Sequence, residues 1–165
     1  MMTLPEITER PAQSYVYVPF TVTMHQMQKP ANEGFPLIFD YLARHGLTAT
    51  GPAFYNYRRI NMAETLDVEA GIAVERPGPE DGAVKVGTLP GGRFMGVTWH
   101  GHPDALITVT GVLIGWSNLT QQPFDQRSEG EDDHFACRLE LYESDPAEVP
   151  DMNKWVTTLA FKLKD

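Results

Sequence analysis

Thr23-Met24-His25, a turn, and the apolar run Leu37-Ile38-Phe39-Asp40-Tyr41-Leu42 decide the fold, because the chain says nearly the same thing again 75 residues later. There Thr98-Trp99-His100 leads through a turn into Leu113-Ile114-Gly115-Trp116, so Thr23 answers to Thr98, His25 to His100 and Tyr41 to Trp116. Each copy reads as a strand feeding an amphipathic helix. Duplicated half-sheets packed about a pseudo-twofold leave a seam, and such seams take small ligands.

Outward from the first copy, Ser14 to Met24 alternates, with Val16, Val18, Phe20, Val22 and Met24 on one face and Tyr15, Tyr17, Thr21 and Thr23 on the other. Pro19 cannot donate to a ladder and marks an edge or a bulge. A helix is expected from about Asn32 to His45, striped by Phe35, Ile38, Phe39 and Leu42 and stopped by Gly46. Phe54 to Tyr57 is a short aromatic strand, Asp67 to Val74 another. Pro77 to Gly82 is loop chemistry and divides the halves.

The second half opens on Leu89-Pro90-Gly91-Gly92, a tight turn rather than a phosphate loop, since the lysine and Ser/Thr are missing. A strand from Arg93 to His100 and a break at Gly101 to Pro103 follow. The next helix runs from a cap at Asp104 to about Asn118. Pro123 to Asp133 reads as loose and polar, and Phe135 to Tyr142 and Trp155 to Leu163 as strands. The expected class is α+β: two β-α-β-β units about a pseudo-twofold, antiparallel sheets with one helix each and a central groove. Residues 1–12 would be a flexible arm, and 13–165 one domain with halves at about 13–76 and 83–165.

Composition narrows the function. The chain has 165 residues, a net charge of −9 and one cysteine. That length buries about 70% of the unfolded surface without a disulfide or structural metal. A net negative charge with no basic stripe argues against direct nucleic-acid binding. With no leader and no apolar run of ~18 residues, a cytoplasmic protein without membrane contact is expected.

Alternation also sorts the reactive side chains. Phe135, Cys137, Leu139 and Leu141 form an apolar face suited to the helices, so Cys137 reads as a buried, inert thiol. Arg138, Glu140 and Tyr142 share the opposite face. The face free of helices would then carry Tyr15, Tyr17, Glu140 and Tyr142: a carboxylate among rings, suited to an apolar cation. The competing reading is a solvated face on which Glu140 pairs with Arg138. His100, His102, Asp132, Asp133 and His134 lack the spacing of a closed zinc site, and neither metal nor cofactor is expected.

Several segments together resemble the GyrI-like family, the small-molecule-binding module also found as the effector domain of multidrug-responsive regulators. They are Gly51-Pro52-Ala53-Phe54 with Tyr57, Asp67-Val68-Glu69-Ala70-Gly71, Leu89-Pro90-Gly91-Gly92 with Trp99-His100-Gly101-His102, Glu140-Leu141-Tyr142 with Asp145-Pro146, and the strand from Trp155 to Leu163. The resemblance implies an inter-unit groove for flat, apolar, often cationic compounds, with Glu140 matching a groove-facing glutamate and Tyr57 and Trp99 at or near aromatic positions. Members often carry a second glutamate in the last strand, where this chain has Thr158. No helix-turn-helix precedes the module, so a stand-alone version is expected.

The leading expectation is a protein that senses or sequesters a planar apolar compound, cationic where charged, sandwiched by Tyr15, Tyr17, Tyr57 and Trp99 and oriented by Glu140. A second is a hydrolase of strained cyclopropane-type electrophiles, with Glu140 as general acid or base and Tyr142 or Tyr57 bonding the reacting oxygen. The missing acid at Thr158 tells against it. A third is an inhibitor of a DNA-acting protein partner through the acidic surface. Haem, held axially by His25, His45, His100 or His102, is a minor fourth.

Overall fold

The computed structural model describes residues 1–165. Ten strands form one antiparallel sheet: β1 (Glu6–Arg10), β2 (Gln13–Val22), β3 (Phe54–Ile60), β4 (Leu66–Ala73), β5 (Lys85–Leu89), β6 (Gly92–His100), β7 (Gln126–Glu129), β8 (Asp132–Phe135), β9 (Arg138–Tyr142) and β10 (Val156–Lys162). Two helices, α1 (Phe35–His45) and α2 (Leu106–Leu119), follow β2 and β6. Gly46 ends α1 at φ 60°. The turn before α2 is capped by His102, whose ring accepts from the Asp104 N–H, and not by Asp104 itself.

The strand order β1-β6-β10-β9-β3-β4-β2-β5 reads as a palindrome. Its centre is the β9–β3 pair, where Tyr55 lies opposite Glu140. The units are therefore joined by a hydrogen-bonded strand pair, and any groove lies above it, between the helices.

The palindrome also corrects the expected N-terminal arm. β1 pairs with β6 from Glu6↔Gly96 to Arg10↔Gly92, the Met1 ammonium donates to the His100 carbonyl, and β5 pairs with β2 in the mirrored place. Each unit is thus β-β-α-β-β and gives its first strand to the other. Charge and proline hid β1, because an edge strand buries little and shows no apolar alternation.

Two short links explain the curl. Pro11-Ala12 carries the chain from β1 to β2 and Pro90-Gly91 from β5 to β6, each joining opposite ends of the sheet. Two residues span only about 7 Å, so the ends must meet. They meet at Gly91, where a Cβ would stand 2.7 Å from the Ala12 nitrogen.

The curled sheet carries four apolar clusters, one of which, Val22, Tyr55, Ile60, Leu66, Val68, Ala70 and Phe135, lies beside the seam. Under α1, Val16, Val18 and Ile72 meet Ile38, Tyr41 and Leu42. Under α2, Met95, Val97 and Leu159 meet Leu106, Val109 and Leu113. Inside the curl, Tyr15, Phe54, Leu89, Phe94, Cys137, Leu139, Leu141 and Ala160 close on one another. The face without helices is therefore largely a core of its own, at about 1.5–3 kcal/mol per large apolar side chain buried, and not the open concavity expected. The stretch read as a loose loop is a β7–β8 hairpin turning at Gly130, φ 59°. Its exposure erased the pattern that would have announced it.

Candidate functional site

Glu140 sits at the centre of the palindrome. Its carboxylate accepts from the Tyr142 hydroxyl at 2.6 Å and the Tyr57 hydroxyl at 3.2 Å. Tyr55 stands beside it, edge-on to Tyr57 at 6.1 Å and to Tyr142 at 5.3 Å between ring centroids. Phe35, the first residue of α1, closes on Tyr55 at 5.9 Å and on Tyr142 at 6.2 Å. A rim of Glu140, Tyr57 and Tyr142 still reaches solvent.

The segment before α1 partly roofs this cluster. Tyr55, 4% exposed, donates its hydroxyl proton to the Met27 carbonyl at 2.7 Å and accepts from the Ala31 N–H at 2.9 Å. Residues Pro30–Gly34 wind as a wide π turn into the helix. Gly34 permits this, because a Cβ there would lie 2.8 Å from the Ala70 Cβ and 2.9 Å from the Phe20 ring.

Burial pushes the Glu140 carboxyl above its ordinary range, against the pull of the two hydroxyls and the more distant Arg138 charge. Burial, reinforced by Glu140, holds Tyr57 and Tyr142 firmly protonated. Arg138 makes no ion pair with Glu140. Its guanidinium lies over three rings, Phe161 at 4.6 Å, Phe135 at 4.8 Å and Tyr57 at 5.6 Å, with Nε buried and unpartnered. Cation–π contact of this kind occupies the arginine and leaves the acid without a basic partner.

Of the residues singled out in the sequence, Tyr57, Glu140 and Tyr142 come together. Trp99 shares their face through Thr157, which lies opposite both Trp99 and Tyr142, but its indole N–H is spent on the His102 carbonyl. Tyr15 and Tyr17 do not join them. They stack at 4.9 Å on the inner face, where the Tyr15 hydroxyl donates to Glu69 at 2.6 Å. The expectation inverted β9 relative to β2: Cys137, Leu139 and Leu141 turn inward, and the polar Arg138-Glu140-Tyr142 set turns toward the helices. The reason is that neither helix lies over the seam, while the curl beneath it is dry. Cys137 is correspondingly pushed up to about 12 by burial.

Thr158 is likewise on the inner face, opposite Leu141, with its hydroxyl 3.4 Å from that of Thr98. Across from Glu140 stands Leu159, and across from Tyr142 stands buried Thr157. Sequence reading missed Tyr55 and Phe35. Tyr55 follows from Tyr57 by period-two alternation; the reach of Phe35 depends on the π turn and left no local trace. No three His, Cys, Asp or Glu residues gather as a metal site, and no helix is long and apolar enough to cross a membrane.

The model of the GyrI-like small molecule binding domain matches residues 3–164. The chain belongs to this family. Among curated protein sequences none matches it. Among solved structures, this GyrI-like chain is similar to the EcmrR C-terminal domain, at TM-score 0.76 and 20% identity over 98% of this chain and 97% of that one. It also matches EcmrR in the EcmrR–DNA complex, at TM-score 0.79 and 18% identity, covering 99% of this chain but 58% of that one. SAV2435 bound to tetraphenylphosphonium superposes at TM-score 0.61 and 12% identity, over 98% and 94% of the two chains. A hydrolase from Listeria innocua superposes at 0.62 and 12%, over 97% and 91%. At these identities the structural likeness establishes the fold.

Proposed function

We propose that this GyrI-like domain binds an apolar aromatic cation above the β3–β9 seam, with Glu140 as its counter-charge. One observation carries this reading: Glu140 is a desolvated carboxylate ringed by Tyr55, Tyr57, Tyr142 and Phe35, while the nearest arginine on its face is caged elsewhere. A half-buried acid ringed by aromatics and without a basic partner is costly, and an apolar cation offsets that cost while the rings supply about 0.5–2 kcal/mol each. Tetraphenylphosphonium, which SAV2435 carries, is a suitable probe. Glu140→Gln keeps one acceptor oxygen for a tyrosine hydroxyl, turns the other contact into one the amide N–H donates, and removes the charge. It is expected to weaken the probe at least tenfold in a calorimetric titration while changing a neutral aromatic of similar size by less than threefold. Equal affinity in wild type and variant overturns the assignment.

A second reading, favoured by the raised Glu140 carboxyl hydrogen-bonded to Tyr142, is hydrolysis with Glu140 as general acid or base. On this face Leu159 stands across from it, so a single carboxyl would serve both steps. Product formation from a cyclopropane electrophile, lost in Glu140→Ala, supports it; no turnover above buffer removes it.

A further inference from the structure

The inner face of the sheet opens at one end into a cleft of about 420 Å³, lined among others by Pro19, Thr21, Arg58, Asp67 and Glu69. Strand register gathers them: Pro19 lies opposite Glu69 and Thr21 opposite Asp67, with Asn56 opposite Glu69 from the other side. β5 pairs with β2 only as far as Tyr17, which leaves the stretch at Pro19 uncovered. The β3 ladder shifts between Tyr57 and Arg59, so Arg58 is the extra residue of a bulge, and bulges re-aim side chains.

Two consecutive arginines meet opposite fates here. Arg59 is fully engaged, donating to both oxygens of Asp67, to the carbonyl and hydroxyl of Thr65 and to Asp132. Asp67 also accepts from Thr21, so that acid is satisfied. Arg58 is exposed at the cleft and donates to no protein group.

Glu69 is its counterpart in sign. It is 8% exposed, and its Oε1 takes both of its hydrogen bonds, from Tyr15 at 2.6 Å and Asn56 at 3.0 Å. Its Oε2 accepts nothing from the protein, although the residue lines the cleft. The residue is largely buried, but Oε2 itself still meets the water of the cleft, and a donor brought by a ligand can take that water's place. Burial raises the Glu69 carboxyl, and Arg58, which makes no ion pair or hydrogen bond with it, acts only through space in pulling it down.

We infer that this cleft is a second binding site, for a small zwitterion of the amino-acid type, whose ammonium donates to Glu69 Oε2 and whose carboxylate lies against Arg58. Charge balance selects the class. A simple cation drawn to Glu69 meets Arg58, and a simple anion drawn to Arg58 meets Glu69; only a ligand carrying both charges satisfies both. The site lies on the opposite side of the sheet from Glu140 and does not depend on that assignment.

The test is a ¹H–¹⁵N NMR titration of the whole chain with glycine, β-alanine and γ-aminobutyrate, and with butylamine and butyrate as half-ligands. At least one zwitterion is expected to give saturable shifts confined to residues 20–21, 58 and 67–69, at least tenfold tighter than either half-ligand. Glu69→Gln and the exposed change Arg58→Gln should each weaken it at least tenfold, leaving tetraphenylphosphonium affinity unchanged. If Glu69→Gln does not fold, Arg58→Gln decides alone. The assignment is overturned by the absence of saturable shifts up to 20-fold above millimolar ligand, by half-ligands binding as tightly, or by variants that bind like wild type.

Discussion

Glu140 and Glu69 occupy opposite faces of one sheet, and each is gripped by a tyrosine hydroxyl at 2.6 Å. Burial is the leading cause that raises both carboxyls. Their surroundings separate them. Glu140 is walled by rings and its arginine neighbour is caged, so it suits an apolar cation. Glu69 looks into an open cleft beside a free arginine, so it suits a polar ligand of mixed charge. A held carboxylate by itself does not name a ligand; the charges and surfaces left unsatisfied around it do.

The largest effect that can break this contrast comes from the inner face. Phe54 is 1% exposed, tilts against Tyr15 at 5.9 Å and packs with Leu139 and Leu141. Phe54→Ala is expected to cost about 3–5 kcal/mol in urea unfolding, while the folded protein keeps its affinity for tetraphenylphosphonium within twofold. A loss below about 1 kcal/mol would mean that the inside of the curl is a loosely filled cavity, which erases the distinction drawn between the faces.

Next in size is the roof over Glu140. Tyr55→Phe removes the hydroxyl that joins the Met27 carbonyl and the Ala31 N–H, at about 1–3 kcal/mol for backbone groups left unpaired. Amide exchange should quicken across residues 24–34 and stay unchanged in β6 and β10 on the inner core. Uniform quickening would show that the roof is not a separable unit.

Protonation sharpens the contrast further. A raised carboxyl binds more protons in the folded state than in the unfolded one. Glu140 therefore makes stability fall as pH rises from the ordinary carboxylate range through its own titration. Cation binding requires the charged form, so affinity for tetraphenylphosphonium should rise over the same window, by at most about tenfold per pH unit, and then level. In Glu140→Gln it should be flat. An affinity that falls with pH in wild type would place the cation away from this carboxylate.

What the sequence made legible was whatever alternation and repetition encode. The strand–helix repeat, the stop at Gly46, and Glu140 with Tyr142 came from local spacing, whereas Tyr57 entered through the resemblance to the GyrI-like family. Sheet order was not legible, and the inverted face of β9 follows from that: alternation says that Arg138, Glu140 and Tyr142 are together, but not which side of the sheet receives the helices. β1 and the β7–β8 hairpin were hidden because exposed strands need no apolar period. Glu69 lay in plain view within Asp67-Val68-Glu69-Ala70-Gly71, yet its partners Tyr15 and Asn56 reach it only through pairing between strands far apart in sequence.

The smallest expected effect tests that same inversion. If position 158 belonged to the Glu140 site, its hydroxyl would help to hold the ligand. In the structure Thr158 lies opposite Leu141 on the inner face and reaches only Thr98, at the long distance of 3.4 Å. Thr158→Val should therefore leave tetraphenylphosphonium affinity within twofold and shift stability by no more than about 1 kcal/mol, the worth of one weak hydrogen bond exchanged for apolar contact. Thr157→Val, on the face of Tyr142 and buried at 2% exposure, is the matched control, since it alone of the pair lies on the Glu140 side of the sheet. An effect on binding from position 158 larger than that from 157 would reverse the facing of β10, and with it the separation of the two acids.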